Sequence, residues 1–318
     1  MSYRVAVAEY PTNMPNQQIS DAVARVRQEL SHALRRRVAG PNADERMKHI
    51  LTSDGPRWFA DDRPIRRVHG DASMFIGGLR ALLLQSLHPL AMAGVAQHSD
   101  FRNDPWGRLQ RTADFLVATT FGSDIEAKRV IDRVTAVHLH VHGIASDGRS
   151  YSASDPHLLR WVHLVEVDSF LSTFQRYGVF PLDQSGRDAY VTDMAVIARA
   201  LGVPAPPQSE LALRDQLQSY RHELRRTPES HETLRYLILQ PPLPLPARAA
   251  YTVLVAATVA TLPRWSRSML GLPYMPITEA IALRPLGNGV TRLFRWATSL
   301  NSPYGRDAEE RARSTKAS

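Results

Sequence analysis

Three histidines, His138, His140 and His142, alternate along one short stretch of this chain. Successive residues of a helix lie about 100° apart, so on a helix His138 and His142 share a face while His140 points away. A neutral imidazole is a common metal ligand, whereas a lone histidine on an apolar face is more often a hydrogen-bonded core residue. Of the pair, His138 lies nearer the centre of the apolar stripe on this predicted helix.

A second group of polar side chains precedes the histidines in the segment Arg108-Leu109-Gln110-Arg111-Thr112. Arg108 and Thr112 are one helical turn apart, and Thr112 shares its face with apolar side chains. Such residues form either a solvated helix edge or a set of donors directed into a pocket. Taken alone, the segment favours the edge.

The absence of cysteine limits the chemistry of any site. It excludes disulfides, thiolate-bound zinc, iron–sulfur clusters and every haem protein that uses a cysteine axial ligand or a C-x-x-C-H attachment. Motifs for dinucleotide binding, the P-loop, the G-x-S-x-G hydrolases and the H-E-x-x-H metalloproteases are also missing. A metal would therefore be held by His, carboxylate, Tyr or Met side chains.

Helices must position these residues, because the apolar residues follow helical spacing and no stretch shows strand alternation. Asp104-Pro105 predicts a helix start and a helix to Phe121. Asp124 begins the next helix, which carries His138 on a continuous apolar face predicted to extend to Ala145. Asp155-Pro156 starts a third, strongly apolar helix. The fold is predicted to be all-α.

Before these helices, the sequence predicts an amphipathic helix over 19–34, a loop or short turns over 41–64, and a fully buried helical run, Leu82–Leu87, that is interrupted at His88-Pro89. Further helical patterns cover 186–201, 210–225, 229–239, 247–262 and 277–300. The chain is predicted to have a loose lead-in over 1–17, a single helical domain over 18–302 and a polar tail over 303–318.

The charge and hydropathy limit the partners. The formal charge is +8, but the basic residues are scattered among acidic ones, which disfavours nucleic acid and favours a role in solubility or at a membrane surface. The longest apolar run, 249–262, is about 14 residues and falls short of the ~20 that a spanning helix needs. No basic-then-apolar signal pattern begins the chain. We expect a cytoplasmic protein, with peripheral membrane contact left open.

An ordered series of motifs resembles the bacterial MpaB-type oxygenase domain, which is related to the latex-clearing rubber oxygenases. The series covers about residues 65–178, and Leu262-Pro263 with 270–273 resembles the C-terminal part of the family. The motifs in the series are GGLRALLLQSLHP (77–89), GVAQHS (94–99), DP (104–105), RLQRT (108–112), FG (121–122), VH (137–138), Val141, Gly143 and DPHLLRWVH (155–163).

The resemblance implies a globin-like helical core and a b-type haem whose iron is held by His138. It assigns Arg108 and Thr112 to the distal side of the haem. Arg111 stands where the rubber oxygenases have a lysine, and a guanidinium is a poor iron ligand, so we expect it to hydrogen-bond oxygen or a propionate. His142 stands where those enzymes have an arginine and is assigned to the haem edge. Arg133 is a propionate candidate.

The predicted function is a haem-dependent oxygenase or related oxidoreductase that uses dioxygen on an apolar, isoprenoid or lipid-like substrate. Rubber cleavage is less well supported, because no acidic residue lies between Arg80 and Asp100 to serve as the base of that reaction. Two alternatives stay open: a non-haem metalloenzyme using His138, His142 and Glu166, and a non-catalytic haem- or lipid-binding protein. The sequence does not identify the substrate, the redox partner or the oligomeric state.

Overall fold

The computed structural model describes residues 21–25, 27–29, 31–32, 36, 40, 42–99, 104–241 and 243–298. The architecture is all-α, as predicted, with one small two-stranded sheet. The elements are α1 (Ala43–Thr52), α2 (Pro64–His69), α3 (Met74–Gln85), α4 (Pro89–His98), α5 (Pro105–Phe121), α6 (Asp124–Leu139), β1 (His142–Ile144), β2 (Ser150–Ser152), α7 (Pro156–Tyr177), α8 (Gln184–Ala200), α9 (Glu210–Ser219), a 3₁₀ turn (Tyr220–His222), α10 (Pro228–Leu239), α11 (Leu245–Thr261), α12 (Arg264–Leu270), α13 (Pro276–Thr278), a π-helical segment (Glu279–Leu283) and α14 (Arg284–Thr298).

The starts of α5 and α7 follow the predicted Asp-Pro signals. The Asp104 carboxylate accepts a hydrogen bond from the Gly107 amide at 2.8 Å, and Asp155 accepts one from the His157 amide at 2.8 Å. Proline occupies the first turn in both helices, where a missing amide hydrogen costs nothing. His88 is likewise the N-cap of α4, and Pro89 follows it. The chain bends there between α3 and α4, where the sequence predicts the break.

The core is built around the crossing of α3 and α7, the most extensive contact between two elements of the described chain. The approach is close because Gly77 faces α7. A Cβ there would lie 2.8 Å from both the Phe170 ring and the Thr173 hydroxyl. Trp161 and Leu164 of α7 are fully buried in the same core. The apolar run Leu82–Leu87 contributes to this core, although Leu82 and Gln85 keep partial exposure.

A buried arginine joins three helices at this crossing. Arg80 of α3 is 2% exposed, pairs with Asp168 of α7 at 2.7 Å and donates to the Ser169 hydroxyl at 2.8 Å. It also donates to the backbone oxygen of Thr261, at the end of α11, at 3.1 Å. A buried guanidinium is tolerated only when its donors are satisfied, so these contacts fix the relative positions of α3, α7 and α11.

The C-terminal helices also pack against α3. α11 packs on α3, and α14 packs on α11. Their shared core contains Ile76, Tyr177, Leu254, Ala257 and Val290.

Three local predictions differ from the structure, and two others lie partly or wholly outside the described residues. The segment predicted as a loop over 41–64 contains α1, a polar helix with a buried residue, Ile50, toward the core. The helix predicted over 277–300 is divided by the π-helical segment, because Pro285 lacks the amide hydrogen that regular pairing there would need. The helix predicted over 210–225 ends at Ser219. The helix predicted over 19–34 lies partly outside the described residues, and the tail lies wholly outside them.

The predicted continuous helical face through Ala145 is also wrong, because α6 ends at Leu139. The chain then forms an antiparallel hairpin that pairs His142 with Ser152 and Ile144 with Ser150. Gly148 supplies the turn with φ +85°, a conformation that favours glycine. His142 therefore lies in β1, and the helical argument that placed it on the face of His138 does not apply.

Candidate functional site

The helices α5 and α6 form a hairpin that carries most of the predicted site residues. They are in contact and are joined only by Gly122 and Ser123, so they run antiparallel. Arg108 lies about 14 residues before this connection and His138 about 15 after it, which places both near the open end of the hairpin. The structure thus brings the predicted proximal and distal helices side by side.

His138 is a half-buried imidazole at the last turn of α6. Burial lowers the pKa of His138, so the ring is neutral at physiological pH. Neither ring nitrogen forms a hydrogen bond among the described residues. A neutral, unpartnered imidazole nitrogen is the form of histidine that binds a metal.

Arg108 is the one predicted distal residue that is drawn inward. Its guanidinium donates to the Ser99 hydroxyl, at the end of α4, at 3.1 Å. Burial, together with the charge of Arg111, lowers the pKa of Arg108, although an arginine stays protonated. Arg108 therefore keeps a fixed positive charge close to the end of α4, at the same end of the α5–α6 hairpin as His138.

The other predicted residues of this hairpin face solvent. Arg111 is exposed and pairs with Asp104 at 3.3 Å. Thr112 is exposed and donates to the backbone oxygen of Arg108 at 3.1 Å. Arg133 is exposed and pairs with no carboxylate among the described residues; five positions before His138, it lies about 140° away around α6. In the structure, Arg111, Thr112 and Arg133 therefore point to solvent.

His142 belongs to a hydrogen-bonded network between β1 and α4. Its backbone oxygen accepts from the ring of His98 at 3.0 Å, and that ring nitrogen is 3.1 Å from the Tyr151 hydroxyl. Tyr151 in turn donates to Gln97 at 2.6 Å. A Cβ at Gly143 would lie 2.8 Å from the Tyr151 hydroxyl, so this glycine permits the close approach. The ring of His142 itself is exposed.

Apolar side chains near His138 are left exposed. Val137 is 55% exposed, Leu139 62% and Ile144 66%. On α5, Leu109 is 38% exposed. Exposed large apolar residues are available to contact a ligand or partner. These residues lie at the same end of the α5–α6 hairpin as His138.

Two ionisable residues of α7 lie outside this hairpin, the buried His163 and the partly buried Glu166. Burial lowers the pKa of His163 to about 4, and its Nε2 atom has no hydrogen-bond partner. Burial raises the pKa of Glu166 to about 7. Glu166 interacts electrostatically with Tyr190 of α8. The predicted grouping of His138 and His142 with Glu166 as metal ligands is not found among the described residues.

A different set of metal-binding side chains does come together, and sequence reasoning missed it. His88, His157 and Glu223 offer ligand atoms that all lie within 4.8 Å of one another. They come from the start of α4, the start of α7 and the turn after α9. The three residues are far apart in the chain, so no motif of fixed spacing connects them. The one local feature was that His88 and His157 each lie next to a proline.

Within the described residues, no single helix is both long enough and apolar enough to cross a bilayer. Only α3 and α4 pass such a test together, and they are bent by 107° at His88.

The comparisons with known proteins agree with the resemblance seen in the motifs. The family model of the catalytic domain of ER-bound oxygenase mpaB/B′ and rubber oxygenase matches residues 66–298. None of the curated proteins and none of the solved structures compared with the chain matches it significantly. The matched range contains α5, α6 and α7 and extends through α14, so it covers most of the chain. The chain belongs to the family of ER-bound oxygenases mpaB/B′ and rubber oxygenases, and residues 66–298 form its oxygenase catalytic domain.

Proposed function

We propose that this oxygenase depends on a b-type haem held by His138, and that it uses dioxygen on an apolar, isoprenoid or lipid-like substrate. The observation that carries the proposal is the ring of His138. It is neutral and half-buried on a helix of the oxygenase domain, and within the described part of the chain it has no hydrogen-bonding partner. The exposed apolar residues around it would cover part of a porphyrin face.

The residues of this region fit a haem by the chemistry of their donors. An imidazole nitrogen is a standard axial ligand, and free guanidinium groups pair with propionates. Bound haem would supply the redox-active iron with which dioxygen reacts. His138 would hold this group, while Arg133 and His142 are candidates for its propionates and edge.

The protein residues would then supply the distal environment. Arg108 is already held inward by Ser99, so its guanidinium can donate hydrogen bonds without a large rearrangement. Arg111 and Thr112 would have to turn from solvent, and Arg111 would have to leave Asp104. Donors fixed before a substrate binds stabilise developing negative charge more effectively than mobile ones. Arg108 is therefore the distal residue with the most direct structural support.

Hemin titration of the purified chain tests the proposal. The wild type is expected to give a Soret band with one haem per chain, and His138→Ala is expected to lose it. His140→Ala is the matched control, because His140 is exposed at the end of the same helix. Equal haem binding by His138→Ala and the wild type would refute the assignment. Haem binding without oxygen consumption, with a reductant and apolar substrates present, would favour a non-catalytic carrier.

A non-haem oxygenase is the second candidate, because two histidines and a carboxylate are the ligands of many non-haem iron enzymes. The specific observation is the group His88, His157 and Glu223, rather than the predicted His138, His142 and Glu166. Iron without porphyrin absorption in active protein would support this candidate and exclude the haem proposal.

We also propose that the oxygenase meets its apolar substrate at a membrane surface through the segment Tyr274–Leu286. Ile277 is 75% exposed and Ile281 74% exposed. Arg264 lies over the ring of the exposed Tyr274 at 5.3 Å, which places a cation at the start of the segment. Flotation with vesicles of mixed phosphatidylcholine and phosphatidylglycerol should recover the wild type but not the double variant Ile277→Ser, Ile281→Ser. Equal flotation of both proteins would contradict this assignment.

A further inference from the structure

A cluster of metal-ligating side chains lies where α4, α7 and the turn after α9 meet. The Glu223 carboxylate is 3.3 Å from Nε2 of His88, and both of its oxygens are 2.9 Å from Nε2 of His157. The side chain of His88 is 1% exposed, that of Glu223 22% and that of His157 46%. The cluster is thus closed on the protein side and open toward solvent on the side of His157.

We propose that His88, His157 and Glu223 bind a divalent transition-metal ion, with Zn²⁺ as the best-matched cation, at a site separate from the proposed haem. In a tetrahedral zinc site with bonds of about 2.1 Å, neighbouring ligand atoms lie about 3.4 Å apart. The 3.3 Å between His88 and Glu223 already matches this spacing. The 2.9 Å between His157 and Glu223 must lengthen by about 0.5 Å to reach it, and the half-exposed side chain of His157 has room to move.

The surroundings of His157 orient it as a ligand. The His157 ring stacks on Tyr220 with the ring centres 4.5 Å apart. Its Nδ1 is 3.2 Å from the Tyr220 hydroxyl, which itself donates to the backbone oxygen of His157 at 2.9 Å. Nδ1–H can therefore donate to Tyr220 and leave the lone pair of Nε2 directed at a metal. A second hydrogen bond of this kind is the usual support of a metal-bound histidine.

His88 is the buried ligand. Its ring packs against Trp161 with the ring centres 5.9 Å apart. Its Nδ1 faces the Ala91 amide at 3.5 Å, which is at the outer limit of a hydrogen bond. Binding a metal through Nε2 would move the ring proton to Nδ1 and so would break this long cap hydrogen bond from Ala91.

Neighbouring charges permit a cation. Arg149 and Arg225 both lie near the cluster, but each pairs with Asp147, at 2.8 and 2.6 Å. The Tyr220 hydroxyl beside His157 interacts electrostatically with Arg160 and with the carboxylates of Glu223 and Asp155. With Glu223 as the one charged ligand, the site has the His₂-carboxylate composition of open zinc sites that keep a water in the fourth position.

The site would join three segments that are distant in sequence. His88 begins α4 after the bend from α3, His157 begins α7, and Glu223 follows the 3₁₀ turn. A metal that binds the folded chain and not the unfolded one stabilises the fold by mass action. We therefore expect Zn²⁺ to raise the melting temperature of the metal-depleted protein.

Calorimetric titration of the chelator-treated full chain with Zn²⁺ tests the proposal. The wild type is expected to bind one ion, and His157→Gln and Glu223→Gln are each expected to weaken binding at least about tenfold. His231→Gln is the matched control for adventitious binding, because His231 is an exposed histidine outside the cluster. Circular dichroism of the two ligand variants checks that they fold, since neither replaces the buried His88.

The proposal is overturned if no ion binds with saturation, if the ligand variants bind as the wild type does, or if His231→Gln weakens binding equally. His138→Ala separates this site from the proposed haem function. It should lose haem and keep wild-type Zn²⁺ binding, so either assignment can fail without the other. Loss of Zn²⁺ binding in a folded His138→Ala variant would overturn the separation of the two sites.

Discussion

Glu166 is expected to lower the stability of this protein as the pH rises. A carboxylate in an ion pair has the opposite effect, because its folded-state pKa is lowered. Glu166 lies on the central helix α7, and burial raises its pKa from 4.5 to about 7. Among the described residues it forms neither a hydrogen bond nor an ion pair that would stabilise its charge. In the unfolded chain the carboxyl regains water and its ordinary pKa.

The magnitude follows from this difference in pKa. The folded-state pKa lies above the unfolded one, so Glu166 costs nothing below about pH 4.5, and the cost grows as the pH rises toward 7. Each pKa unit corresponds to about 1.36 kcal/mol, which gives a full cost of about 3 kcal/mol above pH 7. Glu166→Gln removes the charge and keeps a similar shape. The variant should therefore gain up to about 3 kcal/mol at pH 8 and be nearly neutral at pH 4.5.

Urea denaturation of the wild type and Glu166→Gln between pH 4.5 and 8 measures this difference in unfolding free energy. Other titrating groups cancel because both proteins contain them. Glu45→Gln is the matched control, since Glu45 is an exposed carboxylate on α1. A Glu166→Gln effect that stays constant across this pH range would refute the reasoning, because it would show that Glu166 keeps the same ionisation in both states.

Three further predictions test how the helices are positioned. Gly77→Ala should destabilise the fold by about 1–3 kcal/mol in urea denaturation, because its methyl group would meet the Phe170 ring of α7. Asp155→Ala should cost about 1 kcal/mol in thermal unfolding through loss of the N-cap of α7. Asp168→Leu leaves the buried charge of Arg80 unpaired and should cost about 3 kcal/mol, whereas adding Arg80→Met should recover part of this loss in a double-mutant cycle.

Local chemistry explains which parts of the fold were predictable. Asp104 and Asp155, each followed by a proline, predict the starts of α5 and α7 because capping depends on neighbouring residues alone. The bend at His88-Pro89 follows from the same kind of local restriction. The hairpin after Leu139 was missed, because its apolar residues continue the helical spacing of α6 while its pairing depends on Ser150–Ser152, on the far side of a glycine turn.

The family and its oxygenase domain could be identified from an ordered series of motifs, and the family model confirms them. The assignment of His138 as the haem ligand stays a prediction. The sequence did not show that Arg111 and Thr112 face solvent while Arg108 turns inward, because that choice depends on Ser99 at the end of another helix.

The sequence by itself determined the helices, their capped starts, the chemistry excluded by the lack of cysteine, and the motifs of an oxygenase domain. These depend on residue types and on neighbours within a few positions of the chain. Only the tertiary structure decided that His142 leaves the face of His138, that Glu166 faces Tyr190, and that His88 and His157 meet Glu223. Such meetings are set by how helices cross, and the close α3–α7 contact at Gly77 fixes that crossing through packing between residues far apart in the chain.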